Sequence, residues 1–191
     1  MKTSRWIVGL IGLSVITASI GGPEPFPKEC IASKKAVEKL RRTSGPRFHI
    51  LSGVSIVCSA KYPGCCNNLW VTVTLTDAKD PKSCVATLNY GMLKIDLKDN
   101  YKPELFWQLD TSQVEKYEYV FDPEDGIQRL PLPGKLMPIV SPHGSVGGGG
   151  NRFKWTETYM NGEANHQAVV HLKNDQLVTC EPKDPGIVNE Q

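Results

Sequence analysis

Apolar and polar residues alternate along much of the chain with the two-residue period of a β-strand. The clearest case is residues 69–76, where Leu69, Val71 and Val73 alternate with Trp70 and threonines. Because successive strand side chains point to opposite faces, this pattern predicts a strand that buries one face. Similar patterns predict further strands at residues 48–58, 84–89, 93–97, 105–110, 117–121, 127–130, 153–159, 168–172 and 177–180.

One stretch has helical periodicity. Residues 28–42 are rich in Lys, Ala and Glu, with Cys30, Val37 and Leu40 at helical spacing, and the Gly-Pro pair at residues 45–46 is typical of a helix stop. Short strands with little helix between them favour an antiparallel β-sandwich, with a barrel as the alternative. We therefore predict a mainly β fold with one N-terminal helix.

Two segments between the predicted strands have turn or loop chemistry. In residues 122–126, proline pre-sets φ and glycine tolerates positive φ, which predicts a hairpin between the flanking strands. Residues 131–151 contain four prolines and six glycines and predict a flexible loop. We expect residues 22–46 to form a Pro-rich leader and the helix, and residues 47–191 to form one sandwich domain.

The N-terminus has the three regions of a secretory signal peptide. Two basic residues precede an apolar run of 15 residues, 6–20, and small residues lie at its end, at Ala18 and Gly21. The run is shorter than the roughly 20 residues that a membrane-spanning helix needs. We expect cleavage after Ala18 or Gly21 and assign residues 1–21 to the signal peptide. The mature protein is then secreted or periplasmic, without a transmembrane segment.

Composition and charge fit one globular domain. The chain has 191 residues, of which 40% are hydrophobic and 22% are charged. It contains 22 Lys and Arg against 20 Asp and Glu, and removing the two basic residues of the signal peptide leaves 20 of each. A neutral protein creates no strong field around a phosphate backbone, so we expect no nucleic-acid partner.

All six cysteines follow the signal peptide: Cys30, Cys58, Cys65, Cys66, Cys84 and Cys180. An even number of cysteines in an exported protein indicates disulfide bonds. Adjacent cysteines rarely bond to each other, so we expect Cys65 and Cys66 to reach different elements. Cys84 is the expected partner of Cys180, while the other pairings stay open. Metal or thiol redox chemistry usually uses a Cys-x-x-Cys pair, which this chain lacks.

The four histidines complete no catalytic or metal-binding motif, and we expect each of them at the surface: His49, His143, His166 and His171. The acidic turn of Asp122, Glu124 and Asp125 comes closest to a cation site. It lacks the alternating ligand spacing of an EF-hand loop. The run of four glycines at residues 147–150, the glycine run, is not followed by the Lys-Ser/Thr pair of a phosphate-binding loop. We therefore expect no cofactor and no metal.

Trp70 is the most informative candidate for binding. It shares the outward phase of its strand with Thr72 and Thr74. An aromatic ring flanked by hydroxyl groups can stack on a sugar or anchor a protein partner. The alternative is that this face packs against the helix or the second sheet.

These observations favour an exported protein that binds or interacts without enzymatic activity. Inhibitors, immunity-type protectors and surface-assembly subunits belong to this class, and all of them have protein partners. A second hypothesis is carbohydrate binding through the exposed aromatic face. A third is an extracytoplasmic enzyme whose active site is assembled from separate loops.

Overall fold

The computed structural model describes residues 25–43, 54–98, 101–131, 140–157, 162–173, 177–182 and 186–190. These ranges contain one α-helix, α1 (Lys34–Thr43), short 3₁₀ helices and fourteen strands. The strands are β1 (Ser55–Cys58), β2 (Leu69–Leu75), β3 (Cys84–Leu88), β4 (Met92–Asp96), β5 (Glu104–Asp110), β6 (Tyr119–Phe121), β7 (Ile127–Pro131), β8 (Val140–Ser145), β9 (Arg152–Glu157), β10 (Gly162–Ala168), β11 (Val170–Leu172), β12 (Leu177–Val178), β13 (Glu181–Pro182) and β14 (Gly186–Glu190). The prediction of a mainly β fold with one N-terminal helix is confirmed.

The strands form three sheets. A six-stranded sheet has the order β13-β3-β2-β5-β9-β8, a five-stranded sheet the order β1-β4-β14-β10-β7, and a three-stranded sheet the order β12-β11-β6. Antiparallel pairing is interrupted by four parallel pairs, β1–β4, β4–β14, β2–β5 and β3–β13, so the two larger sheets are mixed. In the described ranges, each sheet ends in two edge strands. The fold is therefore an open sandwich and not a closed barrel.

The core lies between the six-stranded and the five-stranded sheet. Leu69, Val71 and Val73 of β2 are completely buried, as their alternation predicts. Contact across the core is direct, because the ring of Trp107 on β5 lies 6.3 Å from that of His166 on β10, measured between centroids. The two sheets therefore enclose one shared core.

Three disulfide bonds hold the fold together. Cys30 bonds to Cys65, Cys58 to Cys66 and Cys84 to Cys180. The adjacent cysteines thus reach different elements, and Cys84 pairs with Cys180, as predicted from the sequence. The first two bonds tie the N-terminal segment and β1 to the 3₁₀ helix Pro63–Cys66.

The predicted helix at residues 28–42 is divided in two. Residues Lys28–Cys30 form a 3₁₀ turn, and α1 begins only at Lys34. Between them, Ile31 forms an antiparallel bridge with Ile56 of β1. Pairing with the sheet and the disulfide at Cys30 hold this stretch extended where the sequence alone favours helix.

The structure differs from two other predictions. The range predicted as a loop, 131–151, contains β8, an edge strand that pairs with β9 through a register shift. Pro142 is tolerated there because an edge strand does not need every backbone N–H. The hairpin predicted around residues 122–126 is wrong: β6 pairs with β11, whereas β7 pairs with β10 of another sheet.

Some predictions lie outside the described residues. They include the signal peptide at residues 1–21, the first half of the strand predicted at 48–58, and His49. In the ranges that the structure describes, no helix is long and apolar enough to cross a membrane.

Candidate functional site

The predicted binding residues lie on the outer face of the six-stranded sheet. Trp70, Thr72 and Thr74 occupy alternate positions of β2 and are half-buried, whereas the residues between them are buried in the core. The predicted outward orientation of Trp70 is therefore correct. The binding role of these residues stays a prediction.

Two asparagines hold Trp70 in place. Its indole Nε1–H donates a hydrogen bond to Asn68 Oδ1 (2.8 Å), and its backbone N–H donates to Asn89 Oδ1 (2.9 Å). Asn89 Nδ2 in turn donates to the carbonyl oxygen of Asn68 (3.2 Å). A ring fixed in this way loses little conformational freedom when a partner binds to it.

The neighbouring strands extend this surface. Trp70 lies beside Gln108 of β5, and Gln108 lies beside Arg152 of β9, so that the three residues form one row across the sheet. A parallel row begins with Thr72, whose Oγ1–H donates to Asp110 Oδ2 at 3.3 Å. Strand register alone brings these side chains together.

A second aromatic ring, Phe106, completes the surface. The guanidinium of Arg152 lies 5.5 Å from its centroid, and the ammonium of Lys154 lies 5.9 Å from it. Lys154 is also paired with Glu104 at 2.8 Å. Arg152, which is exposed, has no carboxylate partner among the described residues. We call the surface formed by the following residues the Trp70 face: Trp70, Thr72, Thr74, Phe106, Gln108, Arg152 and Lys154.

The sequence prediction missed four of these residues. They are Phe106, Gln108, Arg152 and Lys154. All four lie at outward-facing positions of their strands, and the alternation of apolar and polar residues can indicate such positions. Their proximity to Trp70 depends on β5 lying next to β2 in parallel, and on β9 lying beyond it. A single sequence carries no signal for that order.

The expectation that His166 lies at the surface is wrong. His166 is completely buried between the sheets. Its Nε2 lies 2.6 Å from Tyr90 Oη, and the same oxygen accepts a hydrogen bond from Trp107 Nε1 (2.7 Å). Burial, followed by the positive charge of Arg129, lowers the pKa of His166 from 6.5 to about 3. His166 is therefore neutral at physiological pH.

An ion pair adjoins His166 in the core. Arg129 of β7 is the cross-strand partner of His166, and its Nη2 donates to Glu157 Oε2. Both side chains are almost fully buried, at 4% and 0% exposure. The guanidinium lies 5.0 Å from the centroid of the Trp155 ring. We call Tyr90, Trp107, Arg129, Trp155, Glu157 and His166 the buried polar cluster.

The acidic turn is held by Asp122. Its Oδ1 accepts the backbone N–H groups of Glu124 (2.8 Å) and Asp125 (2.6 Å), and its Oδ2 lies 2.6 Å from His171 Nε2. Partial burial alone would raise the pKa of the Asp122 carboxyl, but the backbone donors and His171 outweigh it and hold that pKa below its ordinary value. Among the described side chains, no three His, Cys, Asp or Glu residues are grouped in a way that could hold a metal ion.

A cleft of about 930 Å³ lies elsewhere on the surface, between β6 and the glycine run. Its charged residues are Glu115, Glu118 and Lys173, and the last two form an ion pair of 2.8 Å. Among the described residues, no heavy atom lies within 4 Å of the Cβ position of Gly147 or Gly148, so these two glycines border open space. No residue of the Trp70 face lines this cleft.

The chain was also compared with known proteins. No protein-family model matches it, and no curated protein matches it. The functional argument therefore rests on the geometry described above.

Proposed function

We propose that the protein is exported and binds a protein partner through the Trp70 face. Export is supported by the predicted signal peptide at residues 1–21 and by the three disulfide bonds, because such bonds form and persist in oxidising compartments. The secreted and periplasmic compartments both meet this condition.

The observation that carries the proposal is the row Trp70, Gln108 and Arg152 across three adjacent strands. Trp and Arg are the residue types that most often dominate the binding energy of protein interfaces. Here the indole ring is already fixed by Asn68, so binding costs little side-chain entropy. An ordered aromatic surface beside a cation is therefore well suited to partner recognition.

The charges on the Trp70 face indicate the chemistry of the partner. Lys154 is neutralised by Glu104, but the exposed Arg152 has no carboxylate partner in the described part of the chain. We infer that the partner places an apolar side chain against the rings of Trp70 and Phe106 and a carboxylate against Arg152. A bidentate pair between Arg and carboxylate would then fix the orientation of the complex.

Co-purification from the native periplasm or medium tests this proposal. The variants are Trp70→Ala and Arg152→Glu, and the matched control is Gln167→Ala, which changes a half-buried polar residue of the other large sheet. We expect each face variant to weaken retention of the partner by about tenfold or more, which corresponds to about 1.4 kcal/mol. Full retention by both variants, or repeated recovery of no protein partner, would contradict the proposal.

Carbohydrate binding is the second candidate function. The fixed Trp70 ring, with Thr72 and Gln108 beside it, combines a stacking surface with hydrogen-bonding side chains, as sugar sites do. A glycan array probed with wild-type protein and with Trp70→Ala tests this alternative. Binding of the same glycan by both proteins would exclude the Trp70 face as a sugar site.

A further inference from the structure

The buried polar cluster contains a chain of hydrogen bonds that determines the protonation of His166. Trp107 Nε1 can only donate, so Tyr90 Oη accepts its hydrogen (2.7 Å). The Tyr90 hydroxyl keeps one hydrogen of its own, and we assign that hydrogen to the contact with His166 Nε2 (2.6 Å). Since His166 is neutral and Nε2 accepts, the ring hydrogen lies on Nδ1. This Nδ1–H group is buried and has no acceptor among the described residues.

Arg129, the cross-strand neighbour of His166, presents further unpaired donors. Its Nη2 donates to Glu157, but the buried Nε and Nη1 atoms have no partner in the part of the chain that the structure describes. Arg129 and His166 are directly opposite each other on adjacent antiparallel strands, with both side chains in the core. Side chains in such a pair lie close together on one face. Both also lie against Trp155, at 5.0 Å for the guanidinium and 6.2 Å for the imidazole ring centroid.

We propose that a single buried water molecule binds between His166 Nδ1 and the Nε or Nη1 group of Arg129. Arg129 Nε and Nη1 are donors, and His166 Nδ1 is a donor in the tautomer assigned above, so a ligand that satisfies all three must be an acceptor. The near-complete burial of Arg129, Glu157 and His166 restricts it to a very small molecule or ion. Buried waters commonly satisfy polar groups of this kind.

Charge balance favours water over a halide ion. Glu157 already neutralises Arg129, and His166 is uncharged. A chloride ion would add an unbalanced negative charge to the core, whereas water adds none. The bound water would also complete one continuous network from Trp107 on β5, through Tyr90, His166 and Arg129, to Glu157 on β9. That network would cross the core twice.

Crystals of the oxidised protein, with and without a bromide soak, test the site. We expect one ordered peak within hydrogen-bonding distance of both His166 Nδ1 and an Arg129 nitrogen, without anomalous bromide signal. A bromide peak there would show that the site takes an anion and would overturn the assignment to water. An empty site, at a resolution that orders other buried waters, would overturn it as well.

NMR in solution provides an independent measurement. Nitrogen spectra of the His166 ring should show the Nδ1–H tautomer, and the Nδ1 proton should show magnetisation transfer from a long-lived water. Sodium chloride should not raise the melting temperature above its value in sodium fluoride at equal ionic strength. An Nε2–H tautomer, or stabilisation specific to chloride, would contradict the proposal.

Discussion

Tyr90 Oη lies 2.6 Å from His166 Nε2, and this contact links the connection between β3 and β4 to the middle of β10. Because the same oxygen accepts the indole hydrogen of Trp107, one phenol joins the six-stranded sheet to the five-stranded sheet. The core of this protein is therefore held by directional polar contacts as well as by apolar packing. Removing one of these polar contacts should therefore lower the stability of the fold by a measurable amount.

Replacing Tyr90 by phenylalanine should destabilise the fold by about 2 kcal/mol. The change leaves the indole N–H of Trp107 without an acceptor and His166 Nε2 without a donor, both inside the core. Urea unfolding measures the effect. Tyr62→Phe is the control, because Tyr62 is 37% exposed and should lose almost nothing. Equal stability of the two variants would refute the role assigned to the Tyr90 hydroxyl.

His166 should make the protein sensitive to acid. Its pKa is about 3 in the folded protein and 6.5 as the ordinary value, so the unfolded chain takes up the proton first as pH falls. Stability should therefore decline below pH 6.5 and continue to decline to about pH 3. Between pH 7.5 and pH 5 the loss should be about 2 kcal/mol from this residue alone.

The measurement is the free energy of unfolding at several pH values for wild type, His166→Gln and His143→Gln. The slope between pH 7.5 and pH 5 should flatten in His166→Gln, whatever its absolute stability. It should stay as in wild type for His143→Gln, because His143 is exposed. A wild-type slope in the His166 variant would show that another group carries the pH dependence.

The three disulfides should differ in their contribution to stability. Cys84 and Cys180 are 96 residues apart, whereas Cys58 and Cys66 are only 8 apart. Loop-closure entropy predicts that the free energy of unfolding falls by about 5 kcal/mol in the double alanine variant of the first pair and by about 2.5 kcal/mol in that of the second. Both variants remove two buried sulfur atoms, so the comparison is matched. Denaturant unfolding that ranks them in the opposite order would be inconsistent with this view.

Two glycines beside the cleft offer another matched pair. Gly150 has a φ of +64°, and a Cβ there would lie 2.8 Å from Val120 Cβ. Gly150→Ala should therefore cost at least the roughly 1–2 kcal/mol of a left-handed backbone. No heavy atom of the described ranges lies within 4 Å of a Cβ at Gly148, so Gly148→Ala should stay within about 0.5 kcal/mol of wild type. Thermal or urea unfolding compares them, and similar losses in both would contradict the packing of Gly150 on β6.

The sequence predicted those features that depend on local pattern. Alternation on β2 correctly placed Leu69 inside and Trp70 outside, because strand geometry alone determines which side chain faces which way. It was also predictable that Cys65 and Cys66 form disulfide bonds with different elements, since adjacent cysteines rarely bond to each other. Local physical rules were sufficient in these cases.

Features that depend on long-range pairing were not predictable. His166 lies in a polar stretch that shows no apolar alternation, and only the partners Tyr90 and Trp107, which are distant in sequence, explain its burial. The turn predicted after Asp122 is present, but the strands on either side of it enter different sheets. Local turn chemistry does not determine which strands pair.

The most direct test of the Trp70 face is site-specific photo-cross-linking in the native host. A cross-linking residue at Gln108 lies next to Trp70, and the same residue at Gln167 lies on the other large sheet as the control. We expect a discrete cross-linked protein from position 108 that disappears in the Arg152→Glu background and is absent from position 167. Cross-linking at position 167 but not at position 108 would contradict the assignment of the Trp70 face as the binding surface.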